Sequence, residues 1–173
     1  MLEVAKYCAV ELLRDGRRLT IRALRGDDRD KLLAAVARTS TASLYRRFFG
    51  VKRKFTEKEI AFFVNVDFDK HVALVAEVDQ GGEQIIVGGG RYFVVQPGSA
   101  EVAFAVVDEF QGQGIGAALM RHLTAIARDA GLKEFVAEVL PDNAAMLKVF
   151  EKSGLSHRMK REPRVVHVVL ALF

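Results

Sequence analysis

The chain has 173 residues, the size of one domain that can bury a substantial hydrophobic core. Half of the residues are hydrophobic and 28% are charged, which excludes a disordered or fibrous protein, and a net charge of +4 fits a polyphosphate ligand or an acidic partner without requiring either. The only cysteine, Cys8, excludes an intrachain disulfide and a thiolate metal cluster, and it favours a reducing, cytoplasmic compartment.

The N-terminal segment has the least regular pattern. Glu3 comes too early for a secretory signal, and no stretch of the chain approaches the ~20 apolar residues that a membrane span needs. We therefore predict an N-terminal arm over residues 1–17, followed by a single domain over residues 18–173 that does not bind a membrane.

The remaining pattern alternates between helices and strands. In the first half it predicts a strand over 19–24, a helix through Leu32 and Val36 capped by Asp27 or Asp28, a helix over 44–49, and a helix opened by the capping box of Thr56 and Glu59. Strands over 71–78, 84–95 and 101–107 follow, then a helix over 114–130, a strand over 134–140, a helix over 143–152 and strands over 156–161 and 165–172.

Two features of this order indicate the architecture. Hairpins come first, then a strand–helix–strand unit, and then a last hairpin, which predicts an α+β domain whose largely antiparallel sheet becomes parallel in its middle. Three consecutive glycines, Gly88 to Gly90, interrupt one strand, where we expect a bulge or a close backbone approach.

The most informative segment joins the end of a strand to the long helix. Gly112, Gly114 and Gly116 stand at alternate positions, so backbone N–H groups can converge on an anion without obstruction by a Cβ. The first turn of a helix adds free N–H donors and the positive end of the helix dipole. The segment is therefore predicted to bind a pyrophosphate, the alternative being a turn that only caps the helix.

Two other phosphate-binding motifs fit less well. Gly112, Gly114 and Ala117 satisfy a loose dinucleotide-binding spacing, with Glu138 on the next strand, but a Rossmann domain would continue with several more strand–helix units. A Walker A loop is excluded because no Gly-Lys-Ser/Thr ends the segment.

Two segments resemble a known family. Gln111, Gly114 and Gly116 match the Q/R-x-x-G-x-G/A signature of GNAT-superfamily N-acetyltransferases, and residues 143–155 are similar to the second coenzyme motif of that family. The resemblance covers nearly the whole chain from Leu19 onward. More narrowly, residues 43–49 and 63–67 resemble the acetyltransferase domain of bacterial protein-lysine acetyltransferases of the Pat type, which act on acyl-CoA synthetases and related proteins. We expect no fused regulatory domain in this chain.

The resemblance implies a GNAT fold with a splayed parallel strand pair at an acetyl-CoA site, and a place for each cofactor-binding residue. Backbone groups of Val106 and Val107 would pair with the pantetheine arm, and Asn143 would contact the same arm. Backbone amides would hold the pyrophosphate, and the residues that supply them are Gln111, Gly112, Gln113, Gly114, Ile115 and Gly116. No metal is expected.

The catalytic expectations rest on one acid. An amine with a pKa of about 10.4 must lose its proton before it attacks a thioester, and Glu101 is the candidate general base, at a point where protein acetyltransferases resemble this chain in having a glutamate. The alternative interpretation is that Glu101 is a solvated acid at the start of a strand. Asp108 and Glu109 are interpreted as loop acids. Family members often carry a tyrosine general acid where this chain has Phe150, so water would protonate the leaving thiolate.

Other polar and aromatic groups are given structural interpretations. The basic residues could receive an acidic protein or the 3′-phosphate of the coenzyme, or simply be solvated; they are Arg46, Arg47, Lys52, Arg53, Lys54, and near the last hairpin Arg158, Lys160, Arg161 and Arg164. Because no aromatics are interleaved with them, nucleic acid is not expected as a partner.

Tyr45 and Tyr92 are expected in the core, as are Phe48, Phe49, Phe62, Phe63 and Phe68. The four histidines lack metal-ligand spacing, and His122 is expected to pack or face solvent.

Three functions follow in order of preference. The first is acetyl transfer from acetyl-CoA to a protein lysine, with an acyl-CoA synthetase among the candidate acceptors. The second is acetylation of a small amine. The third is an acyl-CoA-binding sensor without turnover.

Overall fold

A computed structural model describes residues 3–48 and 55–173, without the side chains of Tyr45 and Phe48. The strands are β1 (Cys8–Leu12), β2 (Arg18–Ala23), β3 (His71–Gln80), β4 (Glu83–Gln96), β5 (Ser99–Val106), β6 (Glu134–Val139), β7 (His157–Arg161) and β8 (Val166–Ala171). The helices are α1 (Arg29–Ala37), α2 (Thr41–Phe48), α3 (Glu57–Val64), α4 (Ile115–Asp129) and α5 (Ala144–Glu151).

The strands form one sheet of eight in the order β1-β2-β3-β4-β5-β6-β8-β7. Every neighbouring pair is antiparallel except β5 and β6, which are parallel. The predicted mixed architecture, largely antiparallel with one parallel pair, is therefore confirmed. No helix in the described ranges is long and apolar enough to cross a bilayer.

The two faces of the sheet bury different cores. On one face α4 packs against the central strands, and Leu119, Leu123 and Ile126 are fully buried there. On the other face a smaller cluster joins Leu24 and Val75 to α1. A sheet covered on both faces explains the nearly continuous apolar run of β3.

The triple glycine of β4 meets both expectations made for it. The register between β3 and β4 shifts at Ala76, which leaves Val87 as an extra residue beside Gly88. A Cβ on Gly90 would lie 2.7 Å from the Phe104 ring, so only glycine lets that ring approach the strand.

The N-terminal segment is more ordered than its sequence indicates. Residues 8–12 form β1, which pairs with β2 along five residues. The Glu11 carboxylate contacts both Arg121 and His122 on α4, and the Tyr7 hydroxyl is hydrogen-bonded to His122 Nδ1. These polar contacts between distant segments leave no periodic signal, so the sequence alone predicted only an arm.

The starts of two helices show which capping interactions the sequence alone predicts correctly. Thr56 and Glu59 form the predicted reciprocal capping box before α3. Asp28 does precede α1, but its carboxylate accepts hydrogen bonds from Arg22 and from the Arg25 backbone instead of capping that helix.

Candidate functional site

The parallel strands β5 and β6 separate after a short paired stretch. They are paired only from Ser99 to Glu101 on β5 and from Glu134 to Val136 on β6. Beyond Glu101 the strands diverge, and a cavity of about 410 Å³ is lined by the end of β5, the glycine segment, and the starts of α4 and α5. A cleft of this kind exposes unpaired backbone groups to a ligand.

The glycine segment forms the floor of this cavity. Gly112 and Gly114 have φ values of 81° and 91°, in the left-handed region that favours glycine, and α4 begins directly afterwards at Ile115. A Cβ on Gly116 would lie 3.3 Å from Val149 Cγ2, so the glycine also lets α5 pack closely. The first-turn amides of α4 and the positive end of its dipole therefore face the cavity as an anion site.

Gln111 organises the loop through its side chain. Its Nε2 donates to the Val106 carbonyl oxygen at 3.1 Å and to Ser43 Oγ at 3.3 Å. Its own backbone N–H donates to the Asp108 carbonyl oxygen at 3.2 Å. The side chain thereby ties together β5, α2 and the glycine segment.

Seven of the nine predicted cofactor residues line the cavity together; they are Val106, Gln111, Gly112, Gly114, Ile115, Gly116 and Asn143. Val107 is turned toward β4, where its N–H donates to the Val87 carbonyl oxygen at 2.8 Å. Gln113 does not line the cavity, and its buried Oε1 has no hydrogen-bond partner within the described ranges.

Asn143 has two roles at one position. Its Oδ1 accepts a hydrogen bond from the Met146 backbone N–H at 3.2 Å and so caps α5. Its side-chain nitrogen makes no hydrogen bond to a described residue, which leaves two N–H donors at the cavity wall.

Basic side chains surround the same cavity. Arg46 and Arg47 of the predicted basic group line it, whereas Lys52, Arg53 and Lys54 lie outside the described residues, as does Phe49. Lys148 of α5 and Lys152, directly after that helix, also line it. Their four-residue spacing, on the helix that Asn143 caps, is a signal that the sequence could have supplied. Arg14 also lines it and donates to the Gly112 carbonyl oxygen at 3.0 Å, and no local pattern marks that contact.

The second basic group lies elsewhere. Arg158, Lys160 and Arg161 belong to β7, the strand at the far edge of the sheet. None of these three side chains lines the cavity.

A second cavity of about 140 Å³ continues from the first on the face covered by α1, α2 and α3. Thr39, Arg47, Ala105 and Val106 line both cavities. Its wall is apolar, apart from Thr39 and three arginines; the apolar residues include Leu32, Leu44, Ile60, Phe63 and Ile86.

Arg91 is a cationic group of that wall, and it packs against an aromatic ring. Its Nη1 donates to the Phe63 carbonyl oxygen at 3.0 Å and lies 3.0 Å from His71 Nε2, and the guanidinium lies 5.0 Å from the Phe63 ring centre. Burial and repulsion from Arg47 both lower the pKa of Arg91. The pKa of His71 is lowered to about 4, first by burial and then by the charge of Arg91, so its ring is neutral near pH 7.

Glu101 stands where the paired part of β5 and β6 ends. It is exposed and lies opposite Phe93 on β4 and Val136 on β6. Alternation along β5 places it on the same face as Ala103 and Ala105, which line the second cavity. Its charge raises the pKa of Arg47 against the larger lowering effect of burial, so the two groups interact.

The two loop acids have structural partners. Burial acts to raise the pKa of Asp108, but hydrogen bonds from the Ser40 backbone N–H and the Ser43 hydroxyl lower it below its usual value. Glu109 forms an ion pair with Arg38 at 3.2 Å. Both acids thus fasten α1 and α2 beside the glycine segment, as their interpretation as loop acids predicts.

Phe150, at the position where family members often carry a tyrosine general acid, lies in the core, as does Tyr92. Phe150 is 1% exposed, with its ring centre 6.2 Å from that of Phe104. Tyr92 is buried against Phe135, and burial raises its pKa to about 12. The side chain of Tyr45 lies outside the described part of the chain.

Comparison with known proteins identifies relatives along most of the chain. The model of the acetyltransferase (GNAT) family matches residues 38–155. An acetyltransferase of Pseudomonas aeruginosa is 35% identical over 138 residues, which cover 79% of this chain and 74% of the relative. Acetyltransferase Pat of Mycolicibacterium smegmatis is 34% identical over 146 residues, which cover 82% of this chain and 42% of that protein.

The fold has a solved counterpart of similar extent. The crystal structure of the GNAT domain of S. lividans PAT superposes with a TM-score of 0.85 at 34% identity, covering 95% of this chain and 96% of that one. By contrast, this chain spans less than half the length of the mycolicibacterial Pat.

Proposed function

This chain belongs to the GNAT acetyltransferase family, and from that membership we propose that it transfers the acetyl group of acetyl-CoA to a protein lysine side chain, with Glu101 as general base. The observation that carries the proposal is the cavity between the diverging strands, whose floor is the glycine segment at the start of α4. We assign the reaction to the cytoplasm, which fits the single exposed thiol of Cys8.

The donor set fits the coenzyme. The amides of Gly112, Gln113, Gly114, Ile115 and Gly116 would hold the pyrophosphate. Arg14, Arg46, Lys148 and Lys152 would balance the remaining phosphate charge, since all four line the same cavity. The side-chain nitrogen of Asn143 and the backbone of β5 near Val106 would bind the pantetheine arm. Val107 would support this arm indirectly, by anchoring the end of β5 to β4.

The position of Glu101 supports its role as base. An arm that runs from the glycine segment along β5 ends near the last residue paired with β6, which is Glu101. Glu101 would take a proton from the bound ammonium, directly or through water, and leave the neutral amine as nucleophile. The coenzyme supplies the thioester carbon that the amine attacks and departs as its thiolate.

No side chain is proposed as general acid. Phe150 has no proton to donate and is buried against Phe104. Water at the open end of the cavity would protonate the coenzyme thiolate after it leaves.

A lysine acceptor is supported by likeness to Pat-type domains along most of the chain. A small amine is the second candidate, favoured by the largely apolar cavity of about 140 Å³ beside the cleft. A protein lysine would reach this place only through its side chain.

The test is a thiol-release assay with acetyl-CoA and a panel of lysine peptides and small amines. Glu101→Gln should abolish turnover and leave coenzyme binding, measured by calorimetry, unchanged. Glu83→Gln is the matched control, because Glu83 is also an exposed strand glutamate but lies at the hairpin far from the cavity. Full activity of Glu101→Gln would remove the base assignment.

The acceptor class is tested separately. A cell lysate incubated with the enzyme and labelled acetyl-CoA should yield specific labelled lysines by mass spectrometry. Label confined to small molecules would identify the second candidate instead.

A further inference from the structure

Two buried arginines of this fold differ sharply in their partners. Arg22 is 6% exposed and is bound by two carboxylates, Asp28 and Glu77, at 2.8 Å each. Arg91 lies partly buried in the wall of the second cavity, and no described carboxylate lies within 4.0 Å of its guanidinium. A buried cation without an anion is costly, which makes its environment complementary to an incoming negative group.

The contacts that Arg91 does make leave part of its guanidinium free. Both of its hydrogen bonds to described atoms use Nη1, one to the Phe63 carbonyl oxygen and one to His71 Nε2. Nε and Nη2 bond to no described atom, and Arg91 lines the second cavity. Two N–H-bearing atoms on one edge of a planar fork can bind the two oxygens of a carboxylate together.

The surroundings of Arg91 strengthen the attraction for an anion. Arg47 reaches the same cavity from α2, close enough for its charge to lower the pKa of Arg91. His71 is neutral near pH 7 and adds no charge of its own. Most residues that line the cavity are apolar, and charges interact more strongly in such surroundings than in water.

Glu101 lies at a defined separation from this cation. Arg91 pairs with Ala103, and Phe93 pairs with Glu101, so Arg91 and Glu101 are diagonal neighbours on one face of the sheet. The Cα atoms of such neighbours lie about 7–8 Å apart, so long side chains at the two positions can reach one ligand. A molecule that carries both an amine and a carboxylate would place the amine at Glu101 and the carboxylate at Arg91.

We propose that Arg91 binds a carboxylate of the acceptor, so that the enzyme selects amines that carry a nearby acidic group, as in a lysine flanked by an acidic residue. The inference rests on the proposed acetyl transfer and specifies its substrate class. Arg91 is then a specificity-determining residue that acts on binding more than on the chemical step.

The experiment compares two matched pairs of acceptors. One pair is a lysine peptide with a neighbouring Asp and the same peptide with Asn. The other pair is 6-aminohexanoate and its carboxamide, which places the same chemistry in a small molecule. The wild-type protein should favour the acid in at least one pair by about tenfold or more in kcat/KM, mainly through KM. The pair that shows the preference identifies a peptide or a free amine as its source.

Three variants test the assignment. Arg91→Gln should bring the acid-to-amide ratio close to one, and Arg91→Lys should restore part of it. Arg158→Gln removes the same charge at the far edge of the sheet and should leave the ratio unchanged. Thermal melting checks folding, and Arg91→Lys serves alone if Arg91→Gln does not fold.

The outcomes separate the two proposals. Acetylation of both members of each pair at equal rates, or a preference that survives in Arg91→Gln, overturns the carboxylate site and leaves acetyl transfer intact. Absence of thiol release with every amine overturns the proposed function itself.

Discussion

The side-chain amide of Gln111 donates a hydrogen bond of 3.1 Å to the carbonyl oxygen of Val106, and it holds the end of β5 against the glycine segment. The same nitrogen reaches Ser43 on α2 at 3.3 Å. One side chain therefore connects three of the elements that line the cleft. The first prediction concerns this connection.

Gln111→Ala should weaken acetyl-CoA binding about five- to tenfold, because the end of β5 and the glycine segment lose their shared hydrogen bond. Calorimetry with coenzyme A measures the change. Gln84→Ala, at an exposed position on β4, should bind as the unmodified protein does. Equal affinities for the two variants would show that Gln111 does not shape the site.

Gly114→Ala should lower the free energy of unfolding by about 1–2 kcal/mol, because its φ of 91° is unfavourable for alanine. Gly16→Ala is the matched control, since its φ is 88° and no atom lies within 4 Å of the added Cβ. Urea unfolding should show similar losses for both variants. Only Gly114→Ala should also weaken coenzyme binding, and an equal loss in both would contradict an anion site at Gly114.

Glu77→Gln should destabilise the fold by about 3 kcal/mol, because Arg22 and Lys31 lose a buried charged partner. Glu138→Gln on β6, at an exposed position, should change stability by less than about 0.5 kcal/mol. Denaturant unfolding at pH 7 compares the two. A small effect at Glu77 would mean that solvent replaces the ion pair.

The free energy of unfolding should decrease in two stages as the pH falls. The folded pKa of His71, about 4, lies below its unfolded value near 6.5, so only the unfolded state gains a proton between these values, and stability decreases as the pH falls through that window. Hydrogen bonds from Arg22 lower the pKa of Glu77. Burial acts to raise the pKa of Asp28, but hydrogen bonds from Arg22 lower it below its usual value. Both carboxylates therefore stabilise the fold above about pH 4 and lose this effect as the pH falls further.

Unfolding free energies measured from pH 7 to pH 3 test both stages. His71→Gln should remove the decrease between pH 6.5 and pH 4, which amounts to about 3 kcal/mol, and retain the decrease at lower pH. An unchanged profile would mean that His71 is protonated in the folded state.

Phe150→Tyr should not increase turnover, and it should lower the free energy of unfolding by about 1–3 kcal/mol, because the new hydroxyl lies in a core position 1% exposed. The pH dependence of kcat should keep the unmodified shape. A new pKa in that profile, with faster turnover, would show that a hydroxyl at this position reaches the leaving sulphur.

Signals confined to neighbouring residues predicted the fold well. Apolar stretches bounded by turn residues predicted β3, β4 and β5, and the Thr56–Glu59 pair predicted the start of α3. The glycine segment could be predicted because each position requires a glycine. Gly112 and Gly114 have a positive φ, and Gly116 allows close packing. The cofactor positions that line the cleft depend on these local requirements.

Contacts between segments that are far apart in the chain were not predicted from the sequence. Arg14 reaches Gly112 across 98 residues, and Glu11 reaches His122 across 111. Arg91 looked like an ordinary strand residue, because its importance comes from the aromatic groups and the second arginine that the fold brings around it. Such positions depend on tertiary packing, and single-sequence patterns do not encode it.

The divergence of β5 and β6 has a mechanical consequence. In the described part of the chain, a ladder of three residue pairs joins the strands β1 to β5 to the strands β6 to β8. A molecule seated in the gap would act as a substitute strand and bridge the two halves of the sheet. Saturating coenzyme should therefore raise the melting temperature and slow amide hydrogen exchange in β6 and β8 as well as in the glycine segment.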